Sequence, residues 1–121
     1  MDELIAFVRA RLDEDEQAAR DAGNRHWLVQ DNTIELYPER EDDGYMKWPT
    51  RADARHAANW EPARVLREVE AKRRMLGLAI MQVGKELGVS GVAHGYLALL
   101  LLAQPYAEHP DFQWWWNPWS S

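Results

Sequence analysis

The 121-residue chain contains no cysteine. That removes disulfide scaffolds, thiol nucleophiles and cysteine-ligated zinc together, and it leaves the redox compartment open. Long apolar runs are missing as well: the longest near-apolar stretch, Gly95 to Ala103, is far shorter than the ~20 residues a membrane-spanning helix needs. The start, Met-Asp-Glu-Leu-Ile, lacks the basic opening and apolar centre of a signal peptide, which predicts a cytoplasmic protein with no membrane role. Positive charge is scarce. Lys and Arg number 14 against 20 Asp and Glu, a net charge of −6 with histidines neutral, whereas a nucleic-acid binder needs clustered cations to neutralise phosphates. Nucleic acid is therefore not an expected partner. No glycine-rich phosphate loop or dinucleotide fingerprint occurs, so no cofactor is implied.

What is present describes an ordinary folded domain. With 46% apolar residues, a chain of this length buries roughly two thirds of its unfolded surface and needs no metal or disulfide staple. A single domain spanning 1–121 is expected. The acidity is one-sided: residues 1–60 hold 14 acids and 8 bases, residues 61–121 hold 6 of each.

Along the chain, Leu4, Ile5, Val8, Leu12 and Ala19, with Phe7 beside them, carry helical spacing from Asp2 to about Ala22. Asp2 is a candidate N-cap and Gly23-Asn24 a stop. The period then changes to two. Trp27 to Gln30 and Thr33 to Tyr37 read as strands around an Asp31-Asn32 turn, Pro38 breaks the second, and a charged loop over 39–44 leads into Tyr45 to Trp48. This predicts a three-stranded antiparallel meander whose inward set is Trp27, Val29, Ile34, Leu36 and one of Tyr45 or Trp48. Such a sheet needs a helix over it.

Thr50 and Asp53 have capping-box-like spacing for a helix ending near Asn59-Trp60, and Pro62 suits the first turn of a longer one. On that helix Val65, Leu66, Val69, Leu76, Ala79, Ile80, Val83 and Leu87 form one stripe, Gly84 is a possible kink, and Gly88 to Gly91 end it. A last helix runs from about Val92 to Ala103, so rich in leucine that burial on all sides is expected unless it is half of an oligomer interface. The fold class is α+β and helix-dominated: N-terminal helix, meander, three helices, and an aromatic C-terminal segment packed at least partly on the last helix.

That segment holds four tryptophans in six residues, Trp114, Trp115, Trp116 and Trp119. Tryptophans supply large contact areas at interfaces, yet the same side chains can fold back and complete a core. A second constellation is Glu16, His56 and His109. Two imidazoles and a carboxylate suit a divalent ion and an activated water. The spacing is unlike a His-Glu-x-x-His helix, however, and Glu16 also stands four residues before Arg20, an ordinary ion-pair distance. His26 and His94 read as structural or exposed, and Ser90, Ser120 and Ser121 lack a nucleophile-elbow context. Arg64, Arg67 and Arg74 share a helical side interrupted by Glu68 and Glu70, the mark of a solvated, salt-bridged face. Asp13-Glu14-Asp15-Glu16 and Glu39 to Asp43 make an acidic surface able to imitate nucleic acid toward a basic partner, with solubility the plainer account.

Three segments carry a family resemblance. They are Leu4 to Glu16, Arg55 to Arg74 (RHAANWEPARVLREVEAKRR) and Leu102 to Phe112 (LAQPYAEHPDF). Together they resemble a family of small actinobacterial and actinophage proteins with no assigned activity, covering most of the chain outside 24–50 and 76–95. The resemblance implies such an origin and an intracellular accessory role, and it transfers no catalytic residue. Where that family has a charged segment after the His-Pro-Asp-aromatic motif, Trp114, Trp115 and Trp116 stand here.

The leading expectation is a non-catalytic interaction or regulatory module that binds a protein partner or itself, as a homo-oligomer such as a dimer. Its contact residues would be Leu97, Leu101, Trp114, Trp115, Trp116 and Trp119. A metal-dependent hydrolase using His56, His109 and Glu16, and an acidic inhibitor of a nucleic-acid-binding protein, are the alternatives.

Overall fold

Helix α1 spans Asp2–Asp21. Leu4, Val8 and Leu12 recur at four-residue steps, and all three are buried together with Phe7 and Ala19. This is the apolar stripe a helix of that period presents to a core. The Ile5 N–H bonds to the Met1 carbonyl at 3.0 Å, so Asp2 is a first-turn residue and not the cap. Its charge and that of Glu3 still complement the helix dipole there. Gly23 follows with φ 92°, the left-handed conformation that ends helices and that residues bearing a Cβ resist.

The computed structural model describes residues 1–23, 26–30, 33–37, 45–86 and 94–119. The Asp31-Asn32 turn, the Pro38 break, the 39–44 loop, Leu87, the Gly88 to Gly91 stop, Ser90, Val92, Ser120 and Ser121 lie outside the described residues. Helix dominates what is described. Contacts gather the chain into two compact units, one of Met1–Glu14 with Glu70–Ser121, the other of Asp15–Val69.

In the Asp15–Val69 unit, strands β1 (His26–Gln30), β2 (Thr33–Tyr37) and β3 (Tyr45–Lys47) lie in the order β1-β2-β3. Both pairings are antiparallel, with Val29 opposite Ile34 and Ile34 opposite Met46. Ile34 is fully buried, while Trp27, Val29 and Trp48 are half-buried; the side chains of Leu36 and Tyr45 are not among the described ones. Helix α2 (Arg51–Ala58) lies against β1 and β2, with Ala54 buried. Its start is capped by Thr50, whose Oγ1 accepts from the Asp53 N–H at 3.1 Å. That satisfies one of the donors a helix leaves orphaned at its first turn.

Helix α3 (Pro62–Glu86) begins at the proline, where a missing N–H costs nothing. It runs through Gly84 without interruption. Val69, Leu76, Ala79 and Val83 of its stripe are buried, and on its other side Arg64 pairs with Glu68 at 3.3 Å and Arg74 with Glu70 at 3.1 Å. Helix α4 (His94–Ala103) follows. In the first unit α4 packs closely on α3: a Cβ built on Gly95 would sit 2.6 Å from the Val83 nitrogen and 2.8 Å from the Ala79 oxygen. Only glycine permits that backbone approach. At the far end the Lys72 ammonium lies 5.9 Å from the centre of the Tyr106 ring, so the two helices run antiparallel.

Of the two alternatives for α4, burial on all sides is not what the single chain shows. Leu99, Leu100 and Leu102 are buried, but Leu97 and Leu101 are 36% and 43% exposed. An all-leucine face hides which side is covered, because hydropathy is then uniform around the helix.

Candidate interaction surface

Beyond α4 the chain makes a short 3-10 turn, Gln104–Tyr106, and a second, Trp114–Trp116. Gln104 ties the two regions together, its Nε2 donating to the Leu100 carbonyl at 2.9 Å and to the Trp116 carbonyl at 2.8 Å. The aromatic segment is thereby fastened to the last turn of α4. Within the second turn the three tryptophans separate. A 3-10 helix has three residues per turn, so consecutive side chains point about 120° apart and only one of three can face a core. Trp116 does: it is 5% exposed, its ring centre 5.1 Å from that of Phe7 and 5.6 Å from that of Phe112. Trp114 and Trp115 are 76% and 52% exposed, and Trp119 is 71% exposed.

Trp116 is thus corrected from contact residue to core residue. The exposed tryptophans stand on it in a row: Trp115 meets Trp116 at 6.4 Å, and Trp114 meets Trp115 edge-on at 5.8 Å. Edge-to-face stacking of this kind fixes ring orientation. Two large apolar rings are held outward by a third that is anchored. That is a preorganised contact, which loses little side-chain freedom on binding.

A second exposed apolar region lies on α3 and α4. Met75, Leu78 and Met81 are all more than half exposed. With Ala98 and Leu101 they line a groove of about 640 Å³.

His109 has a partner the sequence did not suggest. Arg11 is the one buried charged residue among those described, and its Nη1 donates to the His109 ring, lying against both ring nitrogens and nearer to Nε2 than to Nδ1. His109 Nδ1 accepts from the backbone N–H of Asp111 at 3.0 Å. Arg11 Nη2 also bonds Glu14 at 2.9 Å, and its guanidinium lies 5.1 Å from the centre of the Phe7 ring. Phe7 is the hub of this corner, with Tyr106, His109, Phe112 and Trp116 around it at 5.1–6.4 Å. A signal existed: Arg11 stands four residues after Phe7 and seven after Leu4, in the middle of the apolar stripe, where a charge requires partners.

The metal candidates are engaged separately. Glu16 Oε1 accepts from Arg20 at 2.8 Å, His109 accepts from Arg11, and His56 is exposed on α2. Among the described residues no group of three or more His, Asp or Glu side chains is placed to hold a metal ion. Three acids of α1 are paired: Asp13 meets Arg73 at 2.7 Å, while Glu14 and Glu16 meet Arg11 and Arg20. The 39–43 acids lie outside the described residues. No described helix is long and apolar enough to cross a membrane.

A family model matches residues 1–118, from the first turn of α1 to past the tryptophan row. The chain belongs to DUF6221, a family of unknown function. Membership in DUF6221 extends over 24–50 and 76–95, which the sequence resemblance left out, and it assigns no functional residue. No curated protein and no solved structure matches the chain.

Proposed function

We propose that the chain is a non-catalytic protein-interaction module, a cytoplasmic accessory protein of an actinobacterium or its phage, that pairs with a second copy of itself. The contact is made by Trp114, Trp115 and Trp119 together with Leu97 and Leu101. The observation that carries this reading is the outward tryptophan row mounted on a buried one. Water-exposed rings forfeit burial worth about 25 cal/mol per Å², and clustered aromatics in fixed orientation are what interface hot spots consist of.

The test must spare Trp116, since removing the whole tail would take a core side chain with it. In sedimentation velocity, the wild-type chain is expected to form a dimer or higher oligomer at micromolar concentration. A variant carrying Trp114→Ser, Trp115→Ser and Trp119→Ser is expected to be a monomer with an unchanged far-ultraviolet circular dichroism spectrum. Association that survives the triple substitution refutes the assignment of these rings.

A further inference from the structure

The groove on α3 and α4 differs chemically from the tryptophan row. Its walls are apolar, Met75, Leu78 and Met81 from α3 facing Ala98 and Leu101 from α4. Its polar lining is basic or neutral: Lys72, Lys85, His94 and Gln82 take part, and among the described residues no Asp or Glu does. In a chain of net charge −6, a groove lined without a carboxylate is a local reversal of sign. Lys72 and Lys85 are thirteen positions apart on one helix, which at the α-helical rise separates them by roughly 20 Å along its axis.

We propose that this groove receives an amphipathic helix from another protein, one whose apolar stripe is flanked by acidic residues roughly 20 Å apart. Three physical features select that occupant. Both walls are helices whose backbone groups are already bonded within themselves, so the groove offers no free edge for an extended strand. A segment that satisfies its own backbone is the one that fits. Two of the wall residues are methionines, unbranched and polarisable, which repack around different apolar side chains. The cations then choose the flanks, because a carboxylate near Lys72 and another near Lys85 gain attraction that lysines there would turn into repulsion. A second copy of this chain is disfavoured on the same ground: two such grooves facing each other about a two-fold axis bring Lys72 of one copy toward Lys85 of the next. Of the residues assigned to self-association, Leu101 alone also lines the groove.

The experiment uses the full chain and three fluorescein-labelled synthetic peptides of eighteen residues. One is an amphipathic helix with leucines at i, i+3, i+4, i+7 and i+11 and glutamates at both ends. The second replaces those glutamates with lysines. The third keeps the glutamates and replaces the leucines with serines. By fluorescence anisotropy at low salt the acidic peptide is expected to bind at least tenfold more tightly than either of the others, and its advantage over the lysine peptide is expected to shrink as salt rises. The Leu78→Ser/Met81→Ser variant, altered only at exposed positions, should lose at least tenfold in affinity. Lys85→Gln should narrow the preference for acidic flanks, and the triple tryptophan variant, in which loss of self-association frees Leu101, should bind at least as tightly as the wild type.

Equal binding of acidic and basic peptides overturns the proposal. So does absence of binding by the acidic peptide, or loss of its binding in the tryptophan variant but not in Leu78→Ser/Met81→Ser. Direct binding of dodecanoate by isothermal titration calorimetry, lost in the Leu78→Ser/Met81→Ser variant and without any peptide binding, overturns the helix and assigns the groove to an anionic amphiphile. Self-association is read separately by sedimentation, so either result can fail alone.

Discussion

Replacing one tryptophan of the C-terminal row should cost far more than replacing another two positions away. Trp116→Ala removes a side chain that is 5% exposed and packed against Phe7 and Phe112. Large-to-small aromatic substitutions in cores cost about 3–5 kcal/mol, combining lost transfer energy with the cavity left behind. Trp114→Ala removes a ring that is 76% exposed and touches mainly Trp115; surface changes of that kind stay within about 0.5 kcal/mol. Unfolding entropy is about 2.1 cal/mol/K per residue, so for 121 residues each kcal/mol moves the midpoint by about 4 °C. Trp116→Ala should therefore lower Tm by about 12–20 °C and Trp114→Ala by no more than about 2 °C. Thermal unfolding followed by far-ultraviolet circular dichroism, with urea titration as a second probe, measures both. Equal losses in the two variants, or a Trp116→Ala loss below about 1 kcal/mol, would refute the division of the row into anchor and display.

Other substitutions test the packing that holds the row in place. Arg11→Ala should cost about 2–3 kcal/mol, from a charge-assisted bond to His109 and stacking over Phe7, and a double-mutant cycle with His109→Ala in urea should give a coupling of at least about 1 kcal/mol. Gly95→Ala should cost about 1–3 kcal/mol, because the added methyl meets backbone atoms of Val83 and Ala79 at 2.6–2.8 Å; a neutral result in equilibrium unfolding contradicts the close α3–α4 crossing. Thr50→Ala should cost about 1 kcal/mol through loss of the α2 cap, and Thr50→Ser should restore most of it in the same assay.

Local chemistry was legible in the sequence and tertiary partnership was not. Thr50, Pro62 and Gly23 announce helix ends because capping, a missing N–H and positive φ are properties of one or two residues. The stripe of Leu4, Val8 and Leu12 announces a buried face because periodicity needs no knowledge of what covers it. Arg11 escaped notice since its partner His109 is 98 positions away, although a cation at the centre of an apolar stripe was itself a clue. The uniform hydropathy of α4 left burial on all sides and a half-covered interface helix both open, and the exposure of Leu97 and Leu101 separates the two. Among the tryptophans, composition marked the cluster, and only the three-residue turn separates Trp116 from its neighbours.

The measurement that bears most directly on the interaction reading is native mass spectrometry of the untagged chain across a micromolar concentration series. A dimer or higher oligomer is expected, its share growing with concentration, and the Trp114→Ser/Trp115→Ser/Trp119→Ser variant is expected not to form it. A wild-type chain that remains a monomer over the whole series would contradict that reading.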